Sequence, residues 1–294
     1  SRAIIFDLNG EILAQKNFEF KQYYPKSGWV EHDPKEILET TTNAIKHVIA
    51  ESRIKVTEIC TAGITNQRET VVAWDKSNGQ PVYNAIVWQD RRTENICIDL
   101  RNENLSEDIQ NKTGLIIDPY FSATKIKWII ENVNDANKII SKNNLLVGTI
   151  DSWLIWNFTK GSSHLTDATN ASRTMLYNIN DDQWDLELLK LLNIPNEILP
   201  EVKNSADNFG IISKEFFGHE IPIDGVAGDQ QAASFGQLCF EKGMIKSTYG
   251  TGCFMLMNTG DEMMISKSNL LSTTAYKTSF ERKFALEGSI FNAG

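Results

Sequence analysis

Cysteine is scarce and scattered in this chain. Cys60, Cys97, Cys239 and Cys253 form no CxxC pair, so the sequence indicates neither a zinc cluster nor a disulfide framework. No apolar run is long enough for a membrane-spanning helix. The first residues show no charged-then-apolar pattern ending in a cleavage site, and a cytoplasmic location is the expectation. Basic residues are outnumbered, 29 Lys and Arg against 38 Asp and Glu, for a net charge of −9. That balance argues against nucleic acid and against an anionic membrane as partners. Neither a Walker A loop nor a GxGxxG fingerprint is present, and there is no tandem repeat or low-complexity segment.

What is there reads as an ordinary globular protein. With 294 residues at 41% hydrophobic, the chain can bury a sizeable core as one large or two smaller domains. Ser1-Arg2 leads straight into the apolar Ala3–Phe6 run, and LEGSIFNAG at the other end is apolar too, so the sequence reads as a piece of a longer protein. The segment 2–14 predicts a hairpin turning at Asn9-Gly10. Asp33-Pro34-Lys35-Glu36 opens a helix with a capping-box spacing, and Ile37, Thr41, Ala44, Ile45 and Val48 give it one inward face. Further on, apolar strand-like runs at 59–65, 83–88, 115–118 and 145–149 alternate with helical patterns. This alternation predicts an α/β domain with a largely parallel sheet. Near residue 240 the pattern changes to a second β-rich run, MIKSTYGTGCFMLMN, broken by Gly250-Thr251-Gly252.

One stretch organises the rest. IDGVAGDQQAASFGQL, at 223–238, begins as a strand, breaks at Gly228 and restarts as a helix with Ala232, Phe235 and Leu238 on one face. Asp229 sits at the break. A strand-to-helix corner of an α/β fold is where a reactive side chain is both fixed and reachable. An Asp in a helix's first turn is also the ordinary answer to unpaired N–H groups, and from this stretch alone the capping role is the more usual one. Asn66-Gln67-Arg68-Glu69-Thr70 is likewise either a solvated turn or a polar loop at a sheet edge. Trp88, at the end of a strand, is more often core than ligand. Gly250-Thr251-Gly252 suits a close backbone approach to phosphate, and equally a plain turn.

Taken in order, these corners share a pattern. GITNQRET at 63–70, WQDRR at 88–92, TGLIIDPYFSATKIKW at 113–128, TDATNASRTM at 166–175, GDQQAA at 228–233 and YGTGCFMLMNTG at 249–260 resemble the FGGY carbohydrate kinases, and within them the branch that acts on glycerol. The resemblance covers essentially the whole chain. It implies a ribonuclease H-like domain of the actin/hexokinase ATPase type at 1–237, and the start of a second domain of the same fold at 246–294. It places a DxGTT-type phosphate loop before Ser1 and the adenosine-binding part after Gly294. The Gly-Gly-x-Arg loop that some bacterial members use for an inhibitor does not occur in 209–221.

The resemblance also assigns roles. Arg68, Glu69, Tyr120 and Gln230 would meet glycerol hydroxyls, Trp88 and Phe254 would pack on its carbon face, and Asp229 would be the catalytic base. Gly250, Thr251 and Arg2 would touch the nucleotide. The implied reaction transfers phosphate from ATP, with Mg²⁺ bridging its phosphates, to glycerol, giving glycerol 3-phosphate. No resident metal site is implied, and the resemblance is compatible with a homo-oligomer. The set suits a polyol, because fixed donors and acceptors that match hydroxyls reject molecules lacking them. Two other readings are a sister kinase for a pentulose or sugar acid, and a non-catalytic nucleotide-binding protein of the actin or heat-shock chaperone type. Neither explains the hydroxyl-matching set as well.

Overall fold

Asn9-Gly10 makes the expected turn: Arg2–Phe6 pairs antiparallel with Ile12–Asn17, and Gly10 takes a positive φ there. The computed structural model describes residues 1–250 and 252–290. The helix Pro34–Ser52 packs beside this hairpin. Asp33 caps it, accepting from the Lys35 N–H at 2.8 Å. Glu36 does not complete the capping box. Its carboxylate instead accepts from the Lys21 N–H and the Tyr23 hydroxyl, which ties the preceding loop to the helix start.

The strand Val72–Asp75 pairs with Leu145–Gly148 and divides the interior into two apolar layers. Val71, Ala73, Leu145 and Val147 face one layer. Val72, Trp74 and Leu146 face the other, together with Trp153 and Phe158 of the helix Ile150–Phe158. Alternation along a strand sends successive side chains to opposite faces, so a strand buried on both sides has to be apolar throughout. Such a run does not reveal its direction. The expectation of a largely parallel sheet fails here: Val72–Asp75 and Leu145–Gly148 are antiparallel. The parallel ladders among the described residues join Ala62–Asn66 to Ile221–Gly228 and Leu165–Asp167 to Glu201–Lys203. Nor is 115–118 a strand. Its Asp118 carboxylate accepts the Tyr120 N–H and pairs with Arg91, forming a side-chain-held turn ahead of the helix Ser122–Asn132.

Residues 245–290 form a separate antiparallel sheet in the order Ile245–Tyr249, Cys253–Gly260, Arg282–Ile290, Leu271–Lys277. These strands follow one another through short connections without an intervening helix, which favours antiparallel pairing. The edge strand Leu271–Lys277 lies against the first part of the chain. Ser272 donates its N–H to the Gly114 carbonyl at 2.8 Å, Ser205 donates to the Lys277 carbonyl at 2.7 Å, and the Ser172 and Thr273 hydroxyls meet at 2.8 Å.

Gly114 is required at this junction on two counts. Its φ is +74°, and a Cβ there would fall 2.5 Å from the Ser272 carbonyl oxygen, which is backbone and cannot swing aside. Gly114→Ala should therefore destabilise the fold by about 1–3 kcal/mol. Denaturant unfolding of parent and variant measures this, and a change within a few tenths of a kcal/mol would mean that the sheet does not dock as described.

Candidate functional site

The parallel pair at the centre of the fold sets the site. In its register Gly228 lies opposite Asn66, so the loop Asn66–Thr70 and the start of the helix Asp229–Gly236 leave the sheet side by side. Such strand ends are where open α/β folds present ligand-binding loops. The short helix Ala168–Ala171 closes a third side: Thr169 Oγ1 accepts the Gly228 N–H at 2.8 Å, and Asn170 and Asn66 exchange amide hydrogen bonds.

Arg68 is the hub. Its Nη1 and Nη2 donate to the two carboxylate oxygens of Glu287 at 2.6 and 2.7 Å, a bidentate pair reaching across to the Arg282–Ile290 strand. Nη1 also donates to Gln231 Oε1 at 3.1 Å, Nη2 to the Tyr120 hydroxyl at 3.4 Å, and Nε lies 3.3 Å from Asp229 Oδ1. Arg173 donates from Nε to Glu69 Oε1 at 2.7 Å and from Nη2 to Glu287 Oε1 at 3.3 Å. Arg68, Glu69, Arg173 and Glu287 are all buried. The Asn66–Thr70 loop is thus no solvated turn. Gly228 serves this packing, because a Cβ there would fall 2.6 Å from Arg68 Cδ.

Burial by itself would raise the Glu287 pKa, but the Arg173 and Arg68 guanidinium groups outweigh it and hold the carboxyl down to about 2. Arg68 is likewise kept charged, since Glu287 and Glu69 overcome its desolvation. Burial wins at Glu69 and moves its pKa up against the pull of Arg68 and Arg173. Burial also pushes the Tyr120 phenol up and lowers the Lys125 ammonium to about 7.

Asp229 is different: its side chain is 45% exposed. The N-cap position belongs to Gly228, and Asp229 is the first helical residue, its Oδ1 accepting the Gln230 N–H at 2.8 Å. Gln230 donates its amide to Asp229 Oδ2 at 3.2 Å and accepts from the buried Lys246 ammonium. Because a lysine only donates, that bond fixes which end of the Gln230 amide faces Asp229. Trp88, Tyr120 and Phe254 meet edge to face beside the cluster, with ring centroids 5.8 and 6.1 Å from Trp88. The fold therefore brings Arg68, Glu69, Trp88, Tyr120, Asp229, Gln230 and Phe254 into one neighbourhood. Arg2 lies apart on the hairpin with its guanidinium on Gln15, and no described contact joins it to the cluster. Gly250 donates its N–H to the Gly252 carbonyl, and Thr251 lies outside the described residues.

Residues 1–236 match the model of the FGGY family of carbohydrate kinases, N-terminal domain. The chain belongs to this family. It is 58% identical to a glycerol kinase of Petrotoga mobilis and 57% identical to one of Thermoanaerobacter sp. strain X514, in each case over all of this chain and 59% of the relative. The crystal structure of Plasmodium falciparum glycerol kinase with ADP superposes with a TM-score of 0.95 at 42% identity, covering 100% of this chain and 59% of that one. A xylulose kinase from Lactobacillus acidophilus shares the fold, with a TM-score of 0.86 at 23% identity over 99% of this chain and 57% of that one. The architecture is accordingly that of the actin/hexokinase-like ATPases. The FGGY chain spans about 59% of the length of the curated relatives it matches.

Sequence reasoning singled out most of this neighbourhood but passed over Glu287, Arg173, Gln231, Lys125 and Lys246. Arg173 lies inside TDATNASRTM, Lys125 inside YFSATKIKW, and Gln231 is the second amide of GDQQAA. Glu287, in the strand RKFALEGSI, is an acidic residue in a β-rich run and carries no local signal. Only the register of that strand brings it to Arg68.

Removing the Glu287 charge should be costly. Glu287→Gln leaves Arg68 and Arg173 buried with one carboxylate fewer, a loss of about 3–5 kcal/mol at neutral pH. A carboxyl held below its ordinary 4.5 contributes stability that is complete above that pH and lost as the pH falls toward about 2. The gap between parent and Glu287→Gln should accordingly narrow over that acid window. Denaturant unfolding at several pH values checks both parts, and a pH-independent gap would contradict the second.

Proposed function

We propose that this chain is the acceptor-binding part of an ATP:glycerol phosphotransferase, with Asp229 as the catalytic base. The observation that carries the reading is the contrast at the strand-to-helix corner. Arg68, Glu69, Arg173 and Glu287 are buried and tied to one another, whereas the Asp229 carboxylate is half exposed and oriented from both sides by Arg68 and Gln230. A carboxylate free to accept a new proton donor, beside fixed donors and an aromatic wall, suits an alcohol substrate. Identity of more than half to glycerol kinases over the whole chain supports glycerol as that alcohol.

In this reading Arg68 and the Tyr120 phenol donate to the glycerol hydroxyls and Glu69 and Gln230 complete the set, Arg68 and Glu69 exchanging part of their buried pairing for the substrate, while Trp88 and Phe254 cover its C–H face. ATP enters as its Mg²⁺ complex, the metal neutralising phosphate charge. Among the described residues no cluster of three or more His, Cys, Asp or Glu side chains could hold a metal. Phosphoryl transfer of this type depends chiefly on positioning and charge neutralisation. Asp229 orients the attacking hydroxyl and accepts its proton late, since a carboxylate is a weak base for a free alcohol. Gly250, Thr251 and Arg2 contact the nucleotide phosphates. We also propose the division of the chain into 1–237 and 246–294; the self-contained antiparallel sheet at 245–290 supports it, and the family model ends at 236. A cytoplasmic location belongs to the same proposal. No described helix is long and apolar enough to cross a membrane.

Asp229→Asn in the full-length kinase tests the reading. Arg68 is a poorer target, because its removal strands the buried Glu287 charge. Asn keeps the shape of Asp229 and can still accept the Gln230 N–H. If Asp229 is the base, turnover at saturating ATP and glycerol should fall by about 10²–10⁴ while glycerol binding and melting temperature stay near the parent. If it only tidies the helix start, Asn serves nearly as well and turnover stays high, which would overturn the assignment.

A further inference from the structure

We propose that Lys125 and Ser122 are positioning residues that lock the Arg68-Glu69 loop to the Tyr120 segment, so that the acceptor-binding donors and acceptors are held in register. The inference rests on the reading of Arg68, Glu69 and Tyr120 as acceptor-binding residues, and goes beyond it in saying what holds them. Lys125 is fully buried, in the first turns of the helix Ser122–Asn132. Its Nζ donates to the Tyr120 carbonyl at 2.5 Å and to the Glu69 carbonyl at 3.3 Å, and Ser122 Oγ donates to the same Glu69 carbonyl at 3.2 Å.

Three features argue that this is more than incidental packing. Glu69 has a φ of +62°, a left-handed conformation that costs a residue with a side chain and persists only where its surroundings hold it. The Thr70 N–H bonds the Arg68 carbonyl across it at 2.7 Å, and the Glu69 carbonyl, accepting from two donors on one helix, ties the turn to Ser122–Asn132. Lys125 itself is expensive: burial pushes its ammonium down to about 7, and an apolar side chain of the same length would fill the space without that penalty. Finally, the two carbonyls it bridges belong to residues 69 and 120, from the two segments whose side chains meet at Arg68 and Tyr120. One ammonium thus sets the relative position of both segments through their backbone carbonyls.

The test uses Lys125→Met, which keeps the stem and removes the donor, and Ser122→Ala, which removes the second donor with little change in volume. Both are made in the full-length kinase. Two readouts are taken on each: the KM values for glycerol and ATP, and amide hydrogen exchange over residues 67–71 and 119–122. Lys125→Met should raise the glycerol KM about tenfold or more, the size of a lost charged hydrogen bond, with the ATP KM unchanged. Exchange should quicken in those two segments and not elsewhere. Ser122→Ala should move both readouts the same way by a smaller factor, and it remains informative if Lys125→Met does not fold. Unchanged glycerol KM and unchanged local exchange in a folded variant would overturn the proposal, as would a uniform rise in exchange across the chain. If the parent takes no glycerol, the functional reading fails by itself, and the exchange measurement alone decides whether Lys125 and Ser122 lock the two segments.

Discussion

The bidentate contact between Arg68 and Glu287 is the interaction on which the rest of this site depends. The two residues are 219 positions apart, Arg68 in the loop after the Ala62–Asn66 strand and Glu287 in the Arg282–Ile290 strand. Neither charge could be buried alone; the desolvation of an unpaired ion is far too costly. Together with Arg173 and Glu69 they make a group of two cations and two anions, in which each charge has an opposite neighbour. Such clusters add little net stability over a well-packed apolar core. Their effect is on specificity, because a sheet displaced by one residue would take Glu287 away from both Arg68 and Arg173 and leave its own charge buried without them. The docking of residues 245–290 against the first part of the chain is thereby fixed in register.

That constraint explains an oddity of the helix Asp229–Gly236. The apolar spacing of Ala232, Phe235 and Leu238 predicts that this face turns inward. Instead Gln230, Gln231 and Ser234 are buried, while Phe235 and Leu238 are exposed. The helix starts where the charge cluster lies, and Gln231 has to satisfy Arg68 on one side and Thr273 and the Thr274 carbonyl on the other. A buried polar network needs polar neighbours on every face. Here that demand outweighs the loss from leaving two apolar side chains in water, which is individually modest and common on protein surfaces.

How much of this was legible in the sequence depends on whether a feature is local. The Asn9-Gly10 hairpin, the Asp33 cap and the Gly228 break are encoded within a few residues, and all three are found. The polar loop Asn66–Thr70 and the corner at Asp229 were visible as interruptions between apolar runs. Their adjacency was not, since it follows from the parallel register of Ala62–Asn66 with Ile221–Gly228. The expectation of a largely parallel sheet failed at Val72–Asp75 because burial on both faces erases the pattern that would distinguish one sheet type from another. The turn at 115–118 was misjudged because its apolar residues suggested a strand, while the deciding contacts are the backbone and side-chain bonds of Asp118. Glu287 was invisible for a stronger reason: an acid in a strand is unremarkable until its partner is known.

The cluster also accounts for why one carboxylate at this corner is available. Glu69 and Glu287 are each engaged by guanidinium groups with good geometry and are closed to solvent. Asp229 meets the same Arg68 at Nε, at 3.3 Å, and remains half exposed. A guanidinium already committed through both terminal nitrogens to Glu287 has its Nε–H left in a fixed direction. It can orient Asp229 without neutralising it through a full bidentate pair. Gln230, its amide sense set by Lys246, restrains the other oxygen. The carboxylate is therefore held at Oδ1 by the Gln230 N–H and Arg68 and at Oδ2 by the Gln230 amide, and it stays half exposed to a further donor. A residue arranged this way loses little conformational freedom when a new donor reaches it, so the entropy of positioning has already been met by the fold. The buried charges around this corner are what hold the exposed carboxylate in place.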